Sequence, residues 1–334
     1  MIASKPEVTV IIPTYNRANF IKDAIKSVLA QEASFEIIII DDYSTDNTVD
    51  IVHSFQDSRI RYFRLKEKSG AQIARNMGIK QAKGKLITFL DSDDIFLSDT
   101  LVLRSKYFDD HPECECSYSD FEVYVSGKSI KHTKRIKFNK NGSEGNFKSA
   151  LRVLRVAPTS VFMARRDVLI NSVGFFDTTL PCGHDDDIYL RFAKRGHCHY
   201  VPHFAARLVS HEGDQIAKSK KRLALGYEML IAKYKKDILD YLGEPELKKH
   251  LVADSIEYLL VGNFSKFLCL QKEIRKDYGV IPVIDFSQIF MVKIIREFYR
   301  YSRNLVLNLP FFYVSQILNW LEVKGLNLCN RSLK

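Results

Sequence analysis

Residues 85–94 read KLITFLDSDD, and the break inside that stretch decides the fold. Its first part, residues 86–90, joins β-branched Ile87 and Thr88 to Leu86, Phe89 and Leu90, which predicts a strand buried on both faces. It stops in Asp91-Ser92-Asp93-Asp94, so three carboxylates stand where the strand leaves its sheet. In open α/β sheets that carboxyl edge is where ligands bind. Carboxylates this close repel one another unless donors or a cation neutralise them, and a hard divalent ion accompanying a nucleoside diphosphate does so. The plainer alternative is a solvated acidic turn, since Asp is common in turns.

Toward the N-terminus the pattern recurs. Residues 8–12 (VTVII) and 35–40 (FEIIII) predict two more buried strands, and the second also ends in paired aspartates, Asp41-Asp42. Pro13 closes the first, because proline cannot extend a central ladder. Asn19 is a candidate cap for a helix over 20–31, where Phe20, Ala24 and Val28 recur at helical spacing. Ser44 or Asp46 caps a helix over 47–55, and the alternating residues 59–65 predict a strand near an edge. Ser69-Gly70 opens a helix over 71–82 that carries Arg75 and Asn76, and Gly84 stops it. Strands and helices alternating with short links imply an α/β fold with a mainly parallel sheet and right-handed crossovers.

Toward the C-terminus, a helix over 98–109 precedes an alternating aromatic stretch over 114–137 with Ser126-Gly127-Lys128 in its middle, a hairpin signal. A polar loop over 139–146, a β-branched stretch over 159–163 and a short helix over 166–171 follow. A loop through Gly183 then leads to the acidic trio Asp185-Asp186-Asp187 and a helix over 188–194 ended by Gly196. His211 follows an apolar stretch over 205–210.

The chain has 334 residues, 46% of them apolar, which is room for one large domain with an appendage or for two domains. Its net charge of +10 is uneven: residues 1–214 hold 30 Lys and Arg against 28 Asp and Glu, and residues 215–334 hold 20 against 12. Such an excess suits an anionic partner. No signal-peptide core follows Met1, and no apolar stretch of spanning length is free of charge or proline. The expectation is a cytoplasmic chain with six reduced cysteines. Cys114-Glu-Cys116 lacks the spacing and the second pair of a zinc site.

Taken in order, VTVIIPTYNR, IIIIDDYSTDNT, GAQIARNMGIKQAKGKLITFLDSDD and GFFDTTLPCGHDDDIYLRFAKRG resemble the inverting family 2 glycosyltransferases of bacterial polysaccharide and glycolipid synthesis, across residues 6–215. The resemblance implies the GT-A fold, Rossmann-like, over residues 1–215, with a helical region over 216–334. It implies a hexosyltransferase that moves a sugar from a nucleotide sugar, UDP-sugar first, to a hydroxyl of a glycan or lipid-linked acceptor. Carried over residue by residue, Pro13, Thr14 and Tyr15 line the base and ribose pocket, and Asp42 accepts a hydrogen bond from the uracil imide. Arg75 approaches the nucleotide. Asp91, Ser92 and Asp93 form the Asp-x-Asp turn, with Asp93 a direct ligand of Mn2+ or Mg2+ and His211 a second ligand to the metal or the diphosphate. Asp185 stands at the position of the catalytic base. The family usually has Glu-Asp there, whereas this chain has His184-Asp185, and Asp186 and Asp187 leave the register open by one or two residues. On the residues alone, Arg75 is equally a helix-surface charge, Asp42 a cap and His211 a surface histidine. A non-catalytic nucleotide-sugar-binding or scaffold protein on the same fold is the alternative. A nucleotidylyltransferase would carry a Gly-rich loop near the N-terminus, and none is seen.

Residues 222–241, 246–261 and 263–276 predict helices. Within 287–307, Lys293, Arg296, Arg300 and Arg303 recur three or four apart, and Pro310 separates this stretch from Phe311, Phe312 and Trp320. Packing on the front domain, a homo-oligomer interface and peripheral contact with an anionic membrane face are the three readings that fit. No nucleic-acid-binding motif is found, so no nucleic-acid partner is expected.

Overall fold

The computed structural model describes residues 5–125, 128–134, 143–154, 156–211 and 219–279. The front strands β1 (Val8–Thr14), β2 (Phe35–Asp41), β3 (Ile60–Arg64) and β4 (Leu86–Phe89) pair in parallel, with β3 outermost. Every residue of β1, β2 and β4 is buried, as an apolar run covered on both faces requires. Helices α1 (Ile21–Leu29), α2 (Thr48–His53) and α3 (Ala71–Gln81) make the crossovers. In α3 a Cβ on Gly78 would lie 2.5 Å from Ile11 Cγ2, so only glycine lets this helix lie so close to β1.

The back half departs from a mainly parallel reading. Short β5 (Ile95–Phe96), α4 (Thr100–Asp110), the hairpin of β6 (Cys116–Val125) with β7 (Lys128–Lys134), and β8 (Phe162–Arg165) and β9 (Cys198–Ser210) extend the same sheet. The strand order is β3-β2-β1-β4-β8-β6-β9-β5, with β7 on β6. β8 is antiparallel to both β4 and β6, while β9 is parallel to β6. The sheet is therefore mixed, and β8 is entered through a short 3-10 turn (Thr159–Val161).

Two local expectations are corrected. Helix α5 (Ser143–Val153) begins inside the stretch expected to be a polar loop. After α6 (Arg166–Val168) and its continuation Leu169–Val173, α7 runs His184–Arg195, so all three aspartates belong to its first turn rather than to the loop before it. Gly183 takes φ 78° there, a left-handed entry that favours glycine, and a Cβ would strike Leu230 at 2.7 Å. The expectation of six reduced cysteines also fails for one pair. The β6–β9 register places Cys116 opposite Cys198 with Cα atoms 4.7 Å apart, and their sulfurs are joined.

Helices α8 (Lys220–Leu242) and α9 (Glu244–Leu260) complete a compact unit over Met1–Gln271. Tyr234 of α8 donates to the Asp187 carboxylate at 2.9 Å. Residues 272–334 form a second unit, described only as far as the end of α10 (Phe264–Tyr278). The stripe Lys293, Arg296, Arg300 and Arg303 and the aromatics around Trp320 lie outside the described residues. Among the described residues no helix is long and apolar enough to cross a membrane.

Candidate active site

The carboxyl ends of β1, β2 and β4 converge, and the predicted residues fall into three groups. The first surrounds the ends of β1 and β2. Pro13 and Thr14 close β1, Thr14 is buried, and its hydroxyl has no partner among the described residues. Thr14 accepts the Asp42 N–H through its carbonyl at 2.8 Å. Tyr15 follows, with the Lys68 ammonium 3.9 Å from its ring centroid. The two aspartates of β2 divide labour. Asp41 is sunk among Ser44 N–H, at 2.8 Å, and the Tyr62 hydroxyl, at 2.6 Å. Asp42 accepts the backbone N–H groups of Ser69 at 2.6 Å and Gly70 at 2.8 Å. It thus ties the loop that leads into α3 to the end of β2. Two bonds leave further lone pairs on a carboxylate.

The second group links α3, the Asp-x-Asp turn and the start of α7. Arg75 is buried and forks. Nη2 pairs with Asp91, and Nη1 donates to His184 Nε2 at 2.9 Å. Its guanidinium lies 5.6 Å from the centroid of Phe176, whose ring also meets Phe89 edge-on. Gln72 and Asn76, on the same helix, hold the loop before α7 by bonds to Leu180 O and to both backbone groups of Phe176, at 2.7–2.9 Å. Arg75 is therefore no surface charge. Burial, with the Arg75 charge beside it, lowers the His184 pKa below its usual value, against the raising effect of Asp185.

The third group is Asp93, Arg17 and His211. His211 Nε2 donates to Asp93 Oδ2 at 2.9 Å, and Arg17 Nε stands 3.7 Å from the same oxygen. The His211 ring stacks on Phe20 with centroids 4.1 Å apart. His211 is buried and in reach of the Asp-x-Asp turn, not on the surface. A cavity of about 250 Å3 opens beside this group, with Asp23, Tyr124 and Arg207 in its wall. Ser92 lies buried between Asp91 and Asp93. Among the described residues no three His, Cys, Asp or Glu side chains gather into a ready-made metal cluster.

Sequence reasoning missed the support beneath the turn. Asp94 is buried, accepts Ser160 Oγ at 2.7 Å and Val209 N–H at 3.2 Å, and leaves Asp91 and Asp93 at the site. Burial, then the charges of Asp91 and Asp93, push its carboxyl well above the usual carboxylate range. Ser160 also accepts the Asp91 N–H at 3.2 Å. Arg104, wholly buried, donates to Val161 O at 3.0 Å and so fixes the turn bearing Ser160; burial pushes its pKa down to about 9. The signal was a lone arginine among the apolar residues of a helix, which also fits a solvent-facing charge.

At the start of α7 the three aspartates part ways. Asp187 is fully buried and takes Arg191 at 2.9 Å, Lys233 at 2.7 Å and the Tyr234 hydroxyl at 2.9 Å. Asp186 accepts the Val156 N–H. Asp185 is half-buried, and no hydrogen bond or ion pair from a described residue engages its carboxylate.

Residues 9–172 match the family model for glycosyl transferase family 2. An uncharacterised glycosyltransferase of Rickettsia conorii is 40% identical over 196 residues, 58% of this chain and 31% of the relative. A UDP-Glc:alpha-D-GlcNAc-diphosphoundecaprenol beta-1,3-glucosyltransferase of Escherichia coli is 43% identical over 98 residues, 29% of this chain and 39% of the relative. The chain thus matches well under half the length of either curated relative. Among solved structures, residues 1–349 of Staphylococcus aureus TarS with UDP-GlcNAc superpose at a TM-score of 0.58 and 17% identity, over 81% of this chain and 91% of that one, a likeness of fold. Residues 9–172, just under half of the chain, thus match glycosyl transferase family 2, on a sheet whose fold is like that of the solved neighbour.

Proposed function

We propose that the chain transfers a sugar from a UDP-sugar to a hydroxyl of a glycan or lipid-linked saccharide, with inversion, and that Asp185 is the general base. The observation that carries the reading is the division among the aspartates of α7. Asp187 and Asp186 are consumed by the fold, and Asp185 keeps its carboxylate for a proton. It adjoins His184, which one guanidinium separates from Asp91. The acceptor oxygen attacks the anomeric carbon as the bond to the diphosphate breaks on the opposite face. Asp185 takes the hydroxyl proton, and an α-linked donor gives a β-linkage.

Asp93 and His211 fit a divalent cation, Mn2+ or Mg2+. The His211 Nε2 and the Asp93 oxygen stand 2.9 Å apart with a proton between them, which a cation would replace, and ions of this class are completed by substrate phosphates and water when the protein supplies only one or two ligands. When bound, the ion supplies Lewis-acid stabilisation of the departing diphosphate. Tyr15 and Asp42 flank the nucleobase, and Arg75 and Asp91 hold the sugar-diphosphate end.

The diphosphoundecaprenol-linked acceptor of the Escherichia coli relative supports a lipid-linked acceptor here. It also supports peripheral contact with an anionic membrane face through the basic stripe beyond residue 279. The test is release of the nucleoside diphosphate, UDP or GDP, from a panel of UDP- and GDP-sugars, with polyprenyl-linked acceptors and Mn2+, alongside binding of each donor. Donor binding without such release on any acceptor would favour the scaffold reading. Salt-sensitive sedimentation with anionic liposomes tests the membrane contact, and a homo-oligomer of the full chain in light scattering would favour the competing role for the same helices.

A further inference from the structure

The histidine at position 184 has a role that the glycosyl-transfer reading does not assign. A guanidinium can only donate, so the 2.9 Å contact from Arg75 Nη1 makes His184 Nε2 an acceptor. The ring is then neutral and carries its proton on Nδ1. That Nδ1–H is buried and has no acceptor among the described residues. A histidine kept for packing alone would have both nitrogens satisfied or would be replaced by an apolar ring. This one leaves a buried donor unpaired while supplying an acceptor to Arg75.

We infer that His184 is a positioning residue: it fixes the orientation of Arg75, and through Arg75 the Asp91 carboxylate of the Asp-x-Asp turn, from the residue next to Asp185. Arg75 Nη2 and Nη1 reach two different elements, the end of β4 and the start of α7. Phe176 meets the His184 ring at 6.0 Å between centroids, and Asn76 clamps Phe176 by its backbone, so the ring cannot swing away. Donor turn and base helix are thereby held in one register. An acceptor without charge serves here because it leaves the Arg75 cation to pair with Asp91.

The inference rests on the glycosyl-transfer reading, so its test has one arm that needs no activity. With 15N-labelled histidine, NMR of the wild-type chain at neutral pH shows an Nδ1–H tautomer signal that vanishes in His184→Gln, distinct from that of His111, whose Nδ1 donates to Tyr107 O. A His184 ring protonated on Nε2 overturns the inference, whatever the enzyme does. In the activity arm, His184→Leu removes the acceptor and His184→Gln returns one through Oε1. Expected is a fall in kcat of about 10–100-fold for His184→Leu, the range for residues that orient a site's direct ligands, with UDP affinity kept within about threefold. Recovery of most of that loss is expected in His184→Gln. In an Arg75→Ala background, His184→Leu costs little more, because it acts through Arg75. Wild-type rates in His184→Leu, no rescue by Gln, or additive losses with Arg75→Ala each overturn the positioning role. No UDP-sugar turnover by the wild-type chain on any acceptor defeats the glycosyl-transfer reading instead and leaves the NMR result standing.

Discussion

Two acidic clusters face one another across the site, Asp91–Asp93–Asp94 at the end of a strand and Asp185–Asp186–Asp187 at the start of a helix. Each sinks one carboxylate into the fold, and they do so differently. Asp187 is surrounded by Arg191, Lys233 and Tyr234 at the amino end of α7, where the helix dipole also favours negative charge. Asp94 is met by a serine hydroxyl and a backbone N–H, and the charges beside it are Asp91 and Asp93. The helix cluster is compensated from within the chain. At the strand cluster, Arg75 pairs with Asp91, and His211 and Arg17 reach Asp93 from two other elements. The helix cluster spends Asp186 and Asp187 on the fold and leaves Asp185 for proton transfer, whereas the strand cluster sinks Asp94 beside two further carboxylates, an arrangement suited to an incoming cation.

The largest effect that would break this comparison is at Asp93. Asp93→Ala abolishes Mn2+-dependent release of UDP while far-UV circular dichroism is unchanged, and excess chelator does the same to the wild-type chain. Full turnover in either case removes the cation from the strand cluster.

Next is Asp185→Asn, which keeps UDP affinity and lowers kcat by about 10²–10⁴-fold, the range for a positioned acid–base group. Stopped-flow or steady-state UDP release checks it. Normal kcat in Asp185→Asn with a dead, folded Asp187→Asn would exchange the roles of these two residues.

Asp187→Ala sharpens the stability side. It strips the carboxylate partner from Arg191 and one of two from Lys233, which keeps Asp177, and a broken buried ion pair costs about 3–5 kcal/mol. Lys233 is 36% exposed, so solvent takes up part of that loss and about 2–3 kcal/mol is expected by urea denaturation. An unchanged midpoint would mean that the α7–α8 contact does not depend on this carboxylate.

The smallest effect is in pH dependence. His184 has a folded pKa below its usual value of 6.5, from burial and then Arg75. As pH falls below about 6.5, the unfolded chain takes a proton that the folded chain refuses, so stability is present above that pH and is lost as pH falls toward the folded pKa. Burial acts in the same direction on His199, His203 and His250, so the informative quantity is a difference. Tm of His184→Gln drops less between pH 7 and 5 than Tm of the wild-type chain. Parallel curves from calorimetry would place the His184 proton outside this balance.

The front of the fold was legible because its code is local. Apolar β-branched runs of four to seven residues ending in Asp or Pro need no partner to be read as buried parallel strands, and β1, β2 and β4 are such runs. The back half was harder. The antiparallel insertion of β8 depends on pairing with β4 and β6, both distant in sequence, and a helix starts at Ser143 among polar residues whose sequence also suits a loop. The cysteine pair is a product of register: residues 82 apart become neighbours only once β6 and β9 align.

At the site, the sequence determined which chemistry is present: carboxylates at strand ends, an arginine on the third helix, three aspartates after Gly183, a histidine after β9. Tertiary structure decided what each is bonded to. It set Asp42 on the Ser69 and Gly70 N–H groups, buried Arg75 between Asp91 and His184, and drew His211 onto Asp93. It also separated Asp185 from Asp186 and Asp187, because Lys233 and Tyr234 arrive from α8, dozens of residues later, where their spacing looks like that of any half-exposed helix. A carboxylate's type is written in the chain, but its charge balance depends on groups brought near by folding, since Coulomb interactions and desolvation are set by distance in space rather than along the sequence.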